Sequence, residues 1–72
     1  MSWIKDGRWV RAEYCGTTFD GVVLSSRVKY GGMVQYRVEA LEPFYVACLD
    51  STRDVVLIDA DEIIMEWDEE VV

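Results

Sequence analysis

The feature that most constrains this chain is a pair of adjacent glycines between two runs rich in β-branched and aromatic residues. The pair is Gly31-Gly32, preceded by residues 27–30 and followed by residues 33–40. Two adjacent glycines supply the positive φ angles that a tight hairpin turn requires. Apolar side chains then occur at every second position from Val34 to Ala40. The sequence therefore predicts an antiparallel β-hairpin with one buried face.

Other short runs on both sides of the hairpin also have the composition of strands. They are residues 9–15, 19–26, 44–49, 55–58 and 63–67. Gly21 predicts a bulge or bend within its strand, and Pro43 predicts an interruption because proline cannot donate to a ladder. Residues 50–53 are predicted as a loop. Asp59 precedes an acidic first turn, which predicts one short helical turn near residues 59–63. A helix over residues 59–67 is the competing prediction.

The number and spacing of these strands predict an all-β fold, a small SH3-like barrel of five to six short strands. Bending the sheet into a barrel hides edges that a small flat sheet would expose. With 72 residues the chain has room for one domain and one core, and we expect the folded body to span residues 8–67. The predicted core consists of Val10, Tyr14, Val22, Leu24, Val34, Tyr36, Val38, Val46, Leu57 and Ile63.

Charge is distributed unevenly along the chain, whose net charge is −7. Residues 1–38 contain six basic and three acidic side chains, whereas residues 39–72 contain eleven acidic side chains and one basic. The first part is therefore basic and the second strongly acidic. Such a polar molecule can present a face of either sign to a partner.

The residue types needed for catalysis are mostly missing from the sequence. Histidine, the commonest general base and metal ligand, does not occur. The sequence has no phosphate-binding loop, nucleophile elbow or zinc-ligand spacing, so we expect no enzyme activity, no cofactor and no metal. Asp59, Asp61 and Glu62 do not match a calcium loop and are interpreted as a solvated turn. Cys15 and Cys48 are interpreted as partly buried free thiols, with a disulfide between them as the alternative.

Two surfaces are candidates for binding. The first is a basic and aromatic surface on the hairpin, formed by Arg27, Lys29, Tyr30, Gln35 and Arg37. Single-strand binders combine cations with aromatic faces in this way, although these residues also suit an outward strand face that pairs with Glu39 or Asp20. A sequence pI of about 4.3 argues against general phosphate binding. The second is an acidic surface of Asp59, Asp61, Glu62 and Glu66, suited to a basic site on another protein.

Several segments resemble those of small uncharacterised proteins encoded by tailed bacteriophages. They are residues 19–23, 25–32 with the sequence Ser-Ser-Arg-Val-Lys-Tyr-Gly-Gly, 35–38, 42–43 and 53–58. The resemblance covers about residues 14–63, and it implies a phage origin but transfers no functional residue. A looser similarity to KOW and Tudor-type barrels lies in residues 19–23, without the glycine-valine opening strand of the KOW pattern.

These observations predict a non-catalytic phage accessory protein that binds a host or phage protein. Nucleic-acid binding through the hairpin is the alternative, and sequestration of a small ligand by a homo-oligomer is a further one. The N-terminal residues lack the apolar stretch of a secretory signal, and no run of about 18 apolar residues occurs. We therefore expect no membrane partner and a location in the cytoplasm of the infected bacterium, not a secreted protein.

Overall fold

A computed structural model of the chain describes residues 4–67, which form one antiparallel sheet of five strands. The strands are β1 (Trp9–Tyr14), β2 (Thr17–Val28), β3 (Val34–Val46), β4 (Ser51–Asp59) and β5 (Ile63–Trp67), and a 3₁₀ turn (Ala60–Glu62) joins β4 to β5. Their order in the sheet is β4-β3-β2-β1-β5. The predicted all-β fold, a small barrel-like sheet of five strands with one short helical turn, is confirmed. The competing prediction of a helix over residues 59–67 is wrong.

The third strand is longer than the sequence predicts. It continues through Pro43, where an interruption was expected. Glu39 pairs with Val55, and the next pair is Phe44 with Arg53, so that residues 40–43 bulge out of the ladder between β3 and β4. Proline is tolerated there because a bulge needs no ladder N–H. Downstream, β4 already begins within the predicted loop 50–53.

The glycine pair lies in the turn between β2 and β3, as predicted. The φ angles of Gly31 and Gly32 are +96° and +90°. The Gly32 N–H donates to the Lys29 carbonyl at 3.0 Å, and the Lys29 N–H donates to the Met33 carbonyl at 2.7 Å. The turn is therefore Lys29–Gly32, with Gly31 at the third position, where a type II turn requires positive φ. Tyr30 also belongs to this loop, which lies between Lys29 and Met33.

The inner face of the sheet carries the hydrophobic core. Its cluster consists of Ile4, Val10, Ala12, Phe19, Val23, Val34, Tyr36, Val38, Ala40, Val56 and Ile58. Of the predicted core, five residues are buried: Val10, Val34, Tyr36, Val38 and Val46. Tyr14, Val22 and Ile63 are half-buried, while Leu24 and Leu57 are exposed.

The two wrong core residues have different causes. In β2 the ladder passes from the pair Val23–Val38 to the pair Ser25–Arg37, so Leu24 lies in a one-residue bulge and points outward. The bulge predicted at Gly21 therefore occurs three residues later.

The wrong core prediction in β4, Leu57, concerns which side chains of the strand point inward. Val56 pairs with Val38 and Ile58 with Tyr36, and all four side chains are buried. Neighbouring residues of a strand point to opposite faces, so Leu57 is turned to solvent.

Candidate functional site

The hairpin residues predicted as a binding surface take part in a polar network on the outer face of β2, β3 and β4. In the ladder Arg27 lies opposite Gln35, and Gln35 lies opposite Asp59. The Arg27 Nε donates to the Gln35 Oε1 at 3.0 Å, and the Gln35 Nε2 donates to the Asp59 Oδ1 at 3.5 Å. The Lys29 Nζ lies 2.9 Å from the same oxygen. Asp59, predicted as part of the acidic surface, thus neutralises a cation of the basic one.

The remaining two hairpin residues lie on either side of this network. Arg37 lines a shallow depression of about 230 Å³ together with Arg27, Gln35, Ser25, Ser26 and Leu57. In the part of the chain that the structure describes, no carboxylate pairs with Arg37; Asp20, one of its expected partners, instead pairs with Arg11 at 2.7 Å. Tyr30 is fully exposed at the tip of the turn and does not line the depression.

The predicted acidic surface divides into two parts. Carboxylate oxygens of Asp59, Asp61 and Glu62 lie within 4.8 Å of one another at the 3₁₀ turn. There the Asp59 N–H donates to the Glu62 Oε1 at 3.0 Å, which caps the turn. Glu66 lies apart in β5, and its Oε1 is 2.8 Å from the Arg8 Nε. The other acidic residues near the C-terminus, Asp68, Glu69 and Glu70, lie outside the described residues.

An apolar groove that the sequence analysis missed lies between the hairpin turn, the 3₁₀ turn and β5. Its volume is about 400 Å³, and its lining residues are Ile4, Met33, Tyr36, Ala60, Asp61, Ile63, Ile64, Met65 and Glu66. Tyr36 and Ile4 are buried, and the Ile4 N–H donates to the Tyr36 hydroxyl at 3.2 Å. Ile64 and Met65 are 57% and 48% exposed. The available sequence signal was the run Ile63-Ile64-Met65, which has no polar residue on either face.

The strand beside this groove lies at an edge of the sheet. β5 pairs with β1, and among residues 4–67 no strand pairs with its other side. Its register with β1 shifts between Arg11 and Ala12. An edge strand presents unpaired N–H and C=O groups, to which an extended chain can add as a further strand. The groove and the edge together therefore provide apolar contacts and backbone hydrogen bonds for one extended ligand.

The two cysteines lie in different turns at the surface. Cys15 is in the turn between β1 and β2, and Cys48 is in the turn between β3 and β4. Both are exposed, so the prediction of partly buried thiols was wrong. A side-chain hydrogen bond with Cys48, followed by desolvation and by the negative charges of Cys48 and Glu62, raises the pKa of Cys15.

Membrane-spanning helices and the resemblance to phage proteins contribute no residue to these sites. In residues 4–67 no helix has the length and apolar character needed to cross a membrane. The similarity to tailed-bacteriophage proteins stays a prediction. Protein-family models, curated proteins and solved structures were compared with the chain, and none of them matches it.

Proposed function

We propose that this domain is a non-catalytic protein-binding module whose working surface is the apolar groove with the free edge of β5. The observation that carries the proposal is the position of exposed Ile64 and Met65, which line the groove on a strand whose second side pairs with no other strand of residues 4–67. Exposed apolar side chains beside an unpaired edge are a liability for a monomer unless a partner covers them. The partner segment we infer is extended, so that it adds to β5 as a strand.

Charge indicates the chemistry of that segment. Asp61 and Glu66 line the groove, and Asp59 and Glu62 lie close to Asp61. The whole chain carries a net charge of −7. A segment that alternates apolar and basic side chains would place the former in the groove and the latter against Asp61 and Glu62, since Asp59 and Glu66 already pair with Lys29 and Arg8. We therefore propose a basic partner, and, following the phage resemblance, a host or phage protein in the cytoplasm of an infected bacterium.

The proposal is tested by capture from a lysate of infected cells, treated with nuclease, using three forms of the full chain. They are the wild type, Ile64→Glu in the groove and Leu41→Glu as a matched control. Leu41 is 50% exposed on β3 and does not line the groove. We expect one protein to be captured by the wild type and Leu41→Glu but not by Ile64→Glu, and to elute with salt. Equal capture by both variants would refute the assignment of this surface.

A defined probe complements the lysate. A synthetic peptide that alternates valine and lysine should shift the backbone amide resonances of β5, whereas one that alternates valine and glutamate should not. Circular dichroism of each protein variant establishes that the β-fold is retained. Resonance shifts confined to residues of the hairpin turn would show that the peptide binds outside the groove.

Nucleic-acid binding is the second candidate, because Arg37 has no carboxylate partner among the described residues and lies in a depression with Arg27. The net charge of −7 repels a polyanion at low salt, where the screening length is about 30 Å at 0.01 M. We expect no binding of a fluorescent DNA or RNA oligonucleotide at low or physiological salt. Micromolar binding that Arg27→Glu with Arg37→Glu abolishes would favour this second function. A small molecule that co-purifies, detected by native mass spectrometry, would instead favour the ligand-sequestering oligomer.

A further inference from the structure

Three arginines of the chain form no ion pair within residues 4–67. Arg8 pairs with Glu66 and Arg11 pairs with Asp20, but no carboxylate in this range pairs with the others, which are Arg27, Arg37 and Arg53. Acidic side chains outnumber basic ones by fourteen to seven, so carboxylates are not scarce. All three side chains are exposed. The fold therefore leaves three guanidinium groups open to an anion from solvent.

These three arginines line two adjoining depressions on the surface of the sheet. The first is the depression of about 230 Å³ that contains Arg27 and Arg37. The second has a volume of about 510 Å³, and its lining residues are Tyr14, Arg37, Arg53, Val55, Val56 and Leu57. Arg37 and Leu57 line both depressions and lie opposite each other in the ladder of β3 and β4. The two depressions therefore form one continuous surface.

The first depression is lined by groups that donate hydrogen bonds to phosphoryl oxygens. They are the hydroxyls of Ser25 and Ser26 and the guanidinium groups of Arg27 and Arg37. The Arg27 Nε donates to the Gln35 Oε1 at 3.0 Å, which orients the guanidinium group. Among the described residues, no hydrogen bond occupies its two terminal nitrogens. Guanidinium groups bind phosphate with paired, charge-assisted hydrogen bonds, so this lining suits a phosphoryl group.

The second depression has a more apolar lining. Tyr14 contributes an aromatic ring and is half-buried, and Val55 and Leu57 contribute aliphatic side chains. Arg53 adds a further cation there. Small-molecule sites typically combine apolar walls with a few polar groups that fix the orientation of the ligand. The two depressions together suit a ligand with a phosphoryl group at one end and an apolar group at the other.

We propose that this surface binds a phosphate monoester of a small organic molecule. The phosphoryl group contacts Arg27 and Arg37, and the organic group lies against Tyr14 and Leu57. The net charge of −7 repels a polyanion along its whole length, whereas a small ligand at physiological salt, where the screening length is about 8 Å, interacts mainly with the arginines that it contacts. The surface shares no lining residue with the groove at β5, so the proposal is independent of the proposed function.

The test titrates the full chain with phenyl phosphate at physiological salt and follows the backbone amide and arginine Nε–H resonances. We expect saturable shifts at Ser25, Arg37 and Leu57, weaker binding of inorganic phosphate and no binding of phenol. Equal affinity for phenyl phosphate and inorganic phosphate would refute the role of the second depression. The absence of saturable shifts with phenyl phosphate would overturn the proposal.

Variants of the full chain separate a specific site from general attraction by positive charge. Arg37→Gln should weaken binding of phenyl phosphate by about tenfold or more, the effect of losing a charge-assisted hydrogen bond. Arg37→Lys should also weaken it, because an ammonium group lacks the planar fork of donors. Lys5→Gln is the matched control, since it removes one positive charge outside both depressions. Equal affinities of Arg37→Gln and Lys5→Gln would overturn the proposal.

Two further measurements complete the test. Arg27→Gln should weaken binding as Arg37→Gln does, and it decides the question if Arg37→Gln does not fold. A phosphoserine peptide or an oligonucleotide is then compared with phenyl phosphate on the wild type. We expect neither to bind more tightly than phenyl phosphate. Tighter binding of either one, lost in Arg37→Gln, would refute the assignment of a small ligand.

Discussion

Gly21 lies opposite Ala40 in the ladder of β2 and β3, where the two backbones approach too closely for a side chain on Gly21. A Cβ there would lie 2.6 Å from the Glu39 carbonyl oxygen and 2.7 Å from the Val38 Cγ1. Gly21→Ala should therefore lower the free energy of unfolding by about 1–3 kcal/mol, the usual cost of overpacking. Urea denaturation measures the loss. Ser25→Ala, an exposed change in the same strand, should have almost no effect, and equal losses in both variants would contradict the argument.

The turn between β2 and β3 gives a prediction about residue type. Gly32 has a φ of +90° and nothing within 4 Å of the position of a Cβ, so the cost of a substitution comes from the backbone conformation. Gly32→Val should destabilise the fold by more than about 1 kcal/mol, and Gly32→Asn should cost less, because asparagine tolerates positive φ better. Thermal melts of both variants test this order. A lower melting temperature for the asparagine variant would refute it.

The register of β4 is tested by two neighbouring residues. Ile58 is fully buried, whereas Leu57 is 49% exposed. Ile58→Ala should lower the free energy of unfolding by about 2–5 kcal/mol through lost burial and a cavity. Leu57→Ala should have a much smaller effect. A larger loss of unfolding free energy for Leu57→Ala than for Ile58→Ala in chemical denaturation would mean that the opposite face of β4 is buried.

Acid stability should depend on Asp20. The hydrogen bond from the Arg11 guanidinium lowers the pKa of Asp20 in the folded protein, against the opposing effect of partial burial. The folded pKa is below the unfolded one, so the stabilisation is present above the unfolded pKa and is lost as pH falls through the folded pKa. Asp20→Asn should therefore destabilise slightly at neutral pH and not at strongly acid pH. Asp54→Asn, an exposed control, should show no such difference in melts across pH.

The reactivity of Cys15 should depend on pH and on Glu62. The hydrogen bond with the Cys48 side chain is the largest cause that raises the pKa of Cys15. Desolvation and the negative charges of Cys48 and Glu62 add to it, which lowers the thiolate fraction of Cys15 near neutral pH. Glu62→Gln removes the negative charge but keeps an oxygen to accept from the Asp59 N–H. Alkylation of Cys15 by iodoacetamide should become faster in this variant. An alkylation rate of Glu62→Gln equal to that of the wild type from about pH 7 to 9 would rule out Glu62 as a cause of the raised pKa of Cys15.

Much of the fold could be predicted because local patterns and the ladder agree. The alternation from Val34 to Ala40 correctly marks the buried face of β3, and the adjacent Gly31 requires positive φ. The run Val55–Ile58 does not alternate, so its inward residues depend on pairing with β3. Leu24 was assigned wrongly because a one-residue bulge reverses the alternation, and no residue type marks it.

The candidate sites were less predictable because they depend on contacts between distant residues. Lys29 and Asp59 belong to opposite charge groups in the sequence, and only the pairing of β3 with β4 brings them within 2.9 Å. The groove involves Ile4, Met33 and β5, which no local pattern connects.

The strand order has a consequence for how quickly this domain folds. Three of the four strand pairings join strands that are consecutive in the chain, whereas the pairing of β1 with β5 joins its two ends, with Trp9 opposite Trp67. Hairpins form within microseconds, but bringing distant segments together has a larger entropic cost and slows folding. We therefore expect the β2–β3–β4 meander to form early and the docking of β5 to limit the rate. Since β5 forms one wall of the groove, the nascent chain acquires its binding surface only in that last step.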